Sequence, residues 1–298
     1  MAILFIFVDG IGIGEDSTEN PLSDHSLKAF SWFTGENGFH SGCKSIDSDK
    51  KLYRSIDANL GVEGYPQSGT GQTSLFTGTN ASKMIGKHFG PYPHSKIKPL
   101  LKEKSLFHKA LLIDKKPHFL NAYPDLFFEK SEKRNRWSCT TLMARSAGLK
   151  LNGIEDVIAG RAVTAEIVQS AWRNHLKLNV PEIRPEEASE RAITALKKYD
   201  LVLYEYYLTD KAGHDKSRDM ADQVLKNLDL FLERIIKSMD QKDTFILTSD
   251  HGNIEDLSVK THTRNPVPLM VSGQTEFFRD AESILDITPA IIETLMAE

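Results

Sequence analysis

The sequence predicts an α/β fold in which a mostly parallel sheet is sandwiched by helices and carries a small inserted cap. Three observations lead there. Residues 2–8, 201–207, 244–248 and 267–271 are short, continuous apolar runs, the pattern of strands buried on both faces. Helical patterns lie between these runs, and strands alternating with helices imply a parallel sheet covered on both sides. Chemistry-bearing residues follow three of the strands directly: Asp9, Asp210 and the pair Asp250-His251. In open α/β sheets, ligands bind beyond the carboxyl ends of the strands.

The first run ends at Asp9. It lacks the basic flank and small-residue cleavage site of a secretory signal. Residues 119–123 are a weaker fifth strand candidate. The clearest helix spans 217–239, where Met220, Val224, Leu228, Phe231, Leu232 and Ile235 recur at spacings of three and four. A second runs over 185–198, opened by Pro185-Glu186-Glu187, a proline and two acids suited to a first turn. A third, 286–297, closes the sequence. Ser68 opens a shorter one that carries Leu75-Phe76 and stops at Gly78. Residues 1–85 and 200–298 are expected to form a discontinuous metal-binding core. The stretch 86–199 is expected to be an insertion, partly cap and partly core.

With 298 residues the chain has room for one large α/β domain or a core plus a modest insertion. A net charge of -4 argues against a protein that coats nucleic acid. Cys43 and Cys139 are the only cysteines, too few for a disulfide framework. No run approaches the roughly 18 apolar residues that span a bilayer. A cytoplasmic location without membrane contact is the expectation; nothing in the sequence bears on oligomeric state.

The motifs supply three carboxylates (Asp9, Asp210, Asp250), three imidazoles (His214, His251, His262) and one hydroxyl, Ser68. That inventory suits two divalent cations with a serine nucleophile between them, and therefore phosphate-ester chemistry. Asp250 and His251 would face opposite ways on a regular strand, so a turn is predicted there, with Gly252 relieving the backbone. His262 precedes the 267–271 run and is placed at the sheet edge. Asp210 and His214, four apart, fall on one side of a helical turn. A helix start at Ser68 would bring partial positive charge to a phosphoryl group and to the serine. No P-loop lysine follows, and no Gly-x-Ser-x-Gly elbow is present. A divalent cation is therefore the better activator of this serine.

These residues together resemble the alkaline phosphatase superfamily, in particular the branch with cofactor-independent phosphoglycerate mutase and phosphopentomutase. Ser249-Asp250-His251-Gly252-Asn253 and His262-Thr263-Arg264-Asn265-Pro266-Val267-Pro268 resemble the mutases' metal motifs, and Val8 to Glu15 is similar to the phosphopentomutase opening. Ser68 to Gly78 has the spacing from nucleophile to Thr-Gly seen across the superfamily, which puts Ser68, not Thr70, at the nucleophile. The resemblance covers roughly 1–85 and 200–298. It implies an alkaline-phosphatase-like core, with one ion held by Asp210, His214 and His262. The second would be held by Asp9, Asp250, His251 and the Ser68 oxygen. Ser68 would pass through a phosphoserine that water or an acceptor hydroxyl discharges. Three histidines favour Zn²⁺ or Mn²⁺ over Mg²⁺.

The insertion departs from the larger one of phosphoglycerate mutase, and a smaller cap admits water more readily. Hydrolysis of a small phosphorylated substrate is the first expectation. The alternative is a phosphomutase of the phosphoglycerate mutase or phosphopentomutase type. A second alternative is a non-catalytic protein that binds metal or phosphate. A sulfatase is disfavoured because Thr70 and Gln72 stand where its motif has Pro and Arg. Residues 83–136 hold thirteen Lys and Arg against five acids, an excess of +8 that is more commonly a solvated lysine-rich surface than a patch that draws in phosphorylated substrates. Thr70, His88 and Arg161 are the candidate substrate contacts.

Overall fold

The computed structural model describes residues 1–24 and 27–297. Strand β1 (Ile3–Val8) is buried at all six positions because its alternate side chains enter two different cores. Leu4, Ile6 and Val8 join one apolar cluster, and Ile3, Phe5 and Phe7 join the other. Among the described residues the remaining strands are β2 (Ile46–Asp47), β3 (Lys51–Ile56), β4 (Pro117–Phe119), β5 (Asn121–Ala122), β6 (Val163–Thr164), β7 (Leu201–Tyr206), β8 (Thr244–Thr248) and β9 (Val267–Ser272). Seven of them form a sheet in the order β2-β3-β9-β8-β1-β7-β4. Strands β4, β7, β1 and β8 run parallel, with Phe5 opposite Leu203 on one side and Ile246 on the other.

One cluster is covered by the helices Lys28–Thr34, Pro185–Ala195 and Arg218–Ser238. The last buries Val224, Leu228, Phe231, Leu232 and Ile235, the predicted stripe, and starts where the Ser217 hydroxyl accepts from Met220 N. Helix Pro185–Ala195 is stabilised at its start by the Glu187 carboxylate, which accepts from Arg184 N at 2.9 Å. Helices Ser68–Thr77, Leu106–Leu112, Cys139–Ser146 and Ile287–Met296 cover the other face. Fully burying each large apolar side chain of this core contributes about 1.5–3 kcal/mol.

The expectation of a buried 267–271 strand in a parallel sheet needs one correction. Strand β9 is buried but runs antiparallel to β8, pairing Leu247 with Met270. The intervening loop therefore leaves and returns at the same sheet edge, which puts His262 beside Asp250-His251. Strand β3 was not expected, because Lys51 and Arg54 break its apolar pattern. The 119–123 candidate divides at Leu120: its N–H still bonds Leu203 O in the main sheet, while its carbonyl accepts from Val163 N. Beyond that point β5 pairs with β6 in a two-stranded sheet of its own. Within 86–199, β4 is thus an edge strand of the main sheet, and Leu106, Phe107, Cys139 and Met143 join its core. A separate small cluster gathers Ala122, Val157, Ala162, Trp172 and Val180.

Candidate metal centre

Each motif reaches the same edge by its own route. Asp9 follows β1, and Gly10 turns the chain with φ +73°, where a Cβ would lie 2.8 Å from the Asp210 Cα. Asp210 and His214 lie on helix Leu208–Asp215, which starts immediately past β7. Ser68 is the first residue of helix Ser68–Thr77. Asp250 and His251 lie in the predicted bend after β8. The role expected of Gly252 is different: it does not take the left-handed conformation. A Cβ there would run into the Glu255 carboxylate and the Thr263 hydroxyl, so the position needs space, not freedom.

All seven predicted ligands come together in two groups. His251 Nε2 lies 3.1 Å from Ser68 Oγ, 3.2 Å from Asp9 Oδ1 and 3.4 Å from Asp250 Oδ2. His262 Nε2 lies 3.1 Å from His214 Nε2 and 3.3 Å from Asp210 Oδ1, and His214 Nε2 is 3.4 Å from Asp210 Oδ2. The His251 and His262 rings stack at 3.8 Å, so the groups adjoin.

The residues fit divalent cations. Ligands at about 2.0–2.2 Å from a cation in tetrahedral or octahedral geometry stand roughly 3.0–3.5 Å from one another. Those are the separations seen. Both oxygens of the fully buried Asp250 and Oδ1 of Asp9 have no hydrogen-bond partner. His262 Nδ1 donates to Pro66 O at 2.6 Å and His214 Nδ1 to Lys260 O at 3.0 Å. Carbonyls only accept, so in the neutral imidazoles both Nε2 atoms present lone pairs to each other across 3.1 Å. That arrangement is repulsive without a positive charge between them.

Electrostatics tell the same story. Burial first, then the neighbouring carboxylates Asp250 and Asp210, raises the Asp9 carboxyl well above the usual range. Burial and the Asp210 charge do the same to Asp250. Burial works to raise Asp210 too, but its bonds with His214 and His262 outweigh this and hold it below the usual range. The hydrogen bond with Asp210 pushes His214 up to about 9. Burial lowers His251 to about 3.

Several neighbours hold these groups in place and were not singled out from sequence. Gln72 Nε2 donates to Asp9 Oδ2 at 2.9 Å, and Asn253 Nδ2 to Asp210 Oδ1 at 2.6 Å. Ser249 Oγ accepts from Ile11 N and donates to His251 O, tying the first loop to the last. Glu255 accepts from Gly12 N, Asn253 N and the Thr263 hydroxyl. Glu205 was legible in principle, as a lone carboxylate inside an apolar strand.

Burial pushes Glu205 up to about 7 from the usual 4.5, against the opposing hydrogen bond from Thr140 Oγ1 at 2.6 Å. Its contribution to stability is fully present below pH 4.5 and is lost as pH rises through 7. Metal-free protein should therefore lose stability over this range, by at most about 3 kcal/mol from this group. Glu205→Gln should flatten the slope in urea unfolding with chelator at several pH values. An equally steep variant would refute the assignment.

The three candidate substrate contacts are placed elsewhere. Thr70 Oγ1 donates to Gln67 O at 3.2 Å and accepts from Phe89 N at 3.1 Å, bracing the helix start. Both His88 ring nitrogens are occupied, by Ser82 Oγ and Val62 O, each at 3.2 Å. Arg161 pairs with Asp156 at 2.9 Å and lines a different cavity, beside His118 and Tyr199. None of the thirteen cations of 83–136 lines the cavity next to Ser68, whose one Lys or Arg is Lys211. Among the described residues no helix is long and apolar enough to cross a membrane.

The chain is 23% identical over 256 residues to the 2,3-bisphosphoglycerate-independent phosphoglycerate mutase of Methanococcus aeolicus, covering 77% of this chain and 62% of that protein. It is 24% identical over 316 residues to the enzyme of that name from Thermococcus kodakarensis, covering 93% and 74%. The match to the Desulforudis audaxviator enzyme of that name covers 24% of its length, so this chain spans less than two thirds of several such relatives. In structure it is similar to alkaline phosphatase from the Antarctic bacterium TAB5, with a TM-score of 0.59, 13% identity and coverage of 99% and 97%. It is also similar to Leishmania mexicana phosphoglycerate mutase, with a TM-score of 0.53, 11% identity and coverage of 99% and 95%. The fold is therefore alkaline-phosphatase-like, an α/β core with a mostly parallel sheet. Residues 65–298 match the profile of the Metalloenzyme superfamily, and the chain belongs to that family.

Proposed function

We propose that this chain transfers a phosphoryl group through Ser68 with the help of two divalent cations, Zn²⁺ or Mn²⁺. Asp9, Asp250, His251 and the Ser68 oxygen would hold one, and Asp210, His214 and His262 the other. The observation that carries this reading is that Nε2 of His214 and Nε2 of His262 face each other at 3.1 Å beside the half-buried Asp210 carboxylate, an arrangement that calls for a positive charge between them. When bound, the ions would supply the charge that favours serine ionisation and neutralises the phosphoryl oxygens. The Ser68 Oγ–P bond forms as the ester P–O bond breaks, and the proton lost by the serine is balanced by one gained on the departing ester oxygen, which leaves as the alcohol. The N-terminus of helix Ser68–Thr77 adds partial positive charge where the phosphoryl group arrives. Gln72 and Asn253 fix the carboxylates, so their geometry does not depend on the substrate.

Phosphomutase chemistry, in which a second hydroxyl takes the phosphoryl group, ranks first because the curated relatives named above are phosphoglycerate mutases. Hydrolysis, the first expectation from sequence, becomes the second reading. What favours it is the scarcity of cations beside Ser68 to hold an anionic intermediate through a second transfer. The small cluster around Trp172 would be the cap, and the rest of 86–199 would belong to the core.

The test is to load the protein with Mn²⁺ or Zn²⁺, offer a panel of phosphate esters, and look for phosphate on the Ser68 peptide by mass spectrometry. Phosphorus NMR of the products then separates the readings: a new ester indicates a mutase, inorganic phosphate a hydrolase. Absence of phosphoserine with every ester, in protein shown to carry metal, would refute the proposal.

A further inference from the structure

The cavity beside Ser68 has a volume of about 560 Å³, and five aromatic side chains line it. Tyr92, Tyr123, Phe127, Trp172 and Tyr207 all contribute, and Lys211 is the one Lys or Arg among the lining residues. Asp9, Asp210 and Glu205 are the lining carboxylates, and the proposed cations would offset the first two.

Part of this aromatic group is ordinary packing. Tyr123 stacks on Phe127 at 4.2 Å, and Trp137 meets Phe127 edge-on at 5.9 Å from behind. Yet Tyr123 and Phe127 stay only half-buried, and both belong to the cavity wall. Trp172 packs with Ala122, Val157, Ala162 and Val180, and its backbone N–H donates to Glu166. Tyr207, just past β7, is 44% exposed. A Tyr there buries no core, so it has no packing reason to be aromatic.

A sugar-acid phosphate brings a second anionic group, and that group would need cations of its own to leave water. Lys211 is the one Lys or Arg in the wall, His175 also lines it and Arg136 lies over the Tyr92 ring at 4.3 Å, which is thin provision for a second anion. Flat apolar groups, by contrast, gain from burial against rings that are already held in position. Resting on the phosphoryl-transfer reading, we propose that the substrate's ester oxygen carries an aromatic or similarly flat apolar body, and that phosphorylated sugar acids are poor substrates for this site.

The experiment compares benzyl phosphate with glycerol 3-phosphate and 3-phosphoglycerate. All three are alkyl esters, so differences between them reflect the body of the substrate more than the leaving group. The readout is the second-order rate of Ser68 phosphorylation in single turnovers of metal-loaded protein. Benzyl phosphate should react about tenfold faster or more than either of the others. Tyr207→Ala and Tyr123→Leu should each lower the benzyl phosphate rate several-fold more than they lower the glycerol 3-phosphate rate. Equal or faster reaction of 3-phosphoglycerate or glycerol 3-phosphate, with Ser68 still phosphorylated, would overturn the substrate class and leave phosphoryl transfer standing. So would loss of both rates alike in both variants. Failure of all three esters to phosphorylate Ser68 would overturn the phosphoryl-transfer reading as well.

Discussion

Ser68→Ala is expected to lower turnover by about three orders of magnitude or more and to leave the fold intact. Removing a nucleophile deletes the step itself, so losses of this size are normal. The fold should tolerate the change because the Ser68 hydroxyl has one hydrogen-bond partner, His251 Nε2 at 3.1 Å, and alanine suits a helix. Metal should still bind through the remaining carboxylates and imidazoles. The check is initial rate on the best ester of the panel beside metal content by elemental analysis. A variant that keeps most of its activity at full metal loading would remove Ser68 from the chemistry.

Asp250→Asn should change stability with a sign that depends on metal. Asp250 is fully buried, its oxygens lack hydrogen-bond partners, and Asp210 repels its charge. Without metal the wild type carries an uncompensated group, so the amide should match it or gain about 1 kcal/mol. With metal the order reverses. An ion at a thousandfold its Kd stabilises the folded wild type by about 4 kcal/mol, and the variant, short of a charged ligand, by much less. Thermal unfolding of both proteins with chelator and with Mn²⁺ measures the four values. If the variant gains as much from metal as the wild type, Asp250 is no ligand.

How far the sequence could be read depended on the kind of signal. Strands β1, β7 and β8 were legible because burial on both faces keeps them almost wholly apolar until the ligand-bearing turn, with Glu205 the one carboxylate inside them. The helix Arg218–Ser238 was legible because its one-sided burial writes a spacing of three and four into the chain. Strand β3 was hidden by Lys51 and Arg54, and the direction of β9 is set by its partners, which no local pattern encodes. Asp9, Asp210, Asp250 and His251 stood out because each follows closely on a buried strand, and Ser68, His214 and His262 stood out by their place in short motifs. Gln72, Asn253 and Glu255 act by hydrogen bonds to groups far away in sequence, and side chains of that kind resemble ordinary loop residues until the loops are assembled. The expected contacts Thr70 and His88 came from proximity to Ser68 along the chain, which is a poor guide to direction in space, and Arg161 from its place after Ala159-Gly160.

The two ligand groups differ in their access to solvent. The side chain of His214 is 45% exposed, whereas those of His251 and Asp250 are fully enclosed. Two ions held there would keep different time. The outer one would exchange with the surroundings while the protein stays folded, and the inner one would leave only when the sheet edge opens. A half-loaded form then becomes a natural resting state, with the inner ion retained as a structural staple. In that form the supply of metal to the outer position would set how much of the protein is competent at any moment.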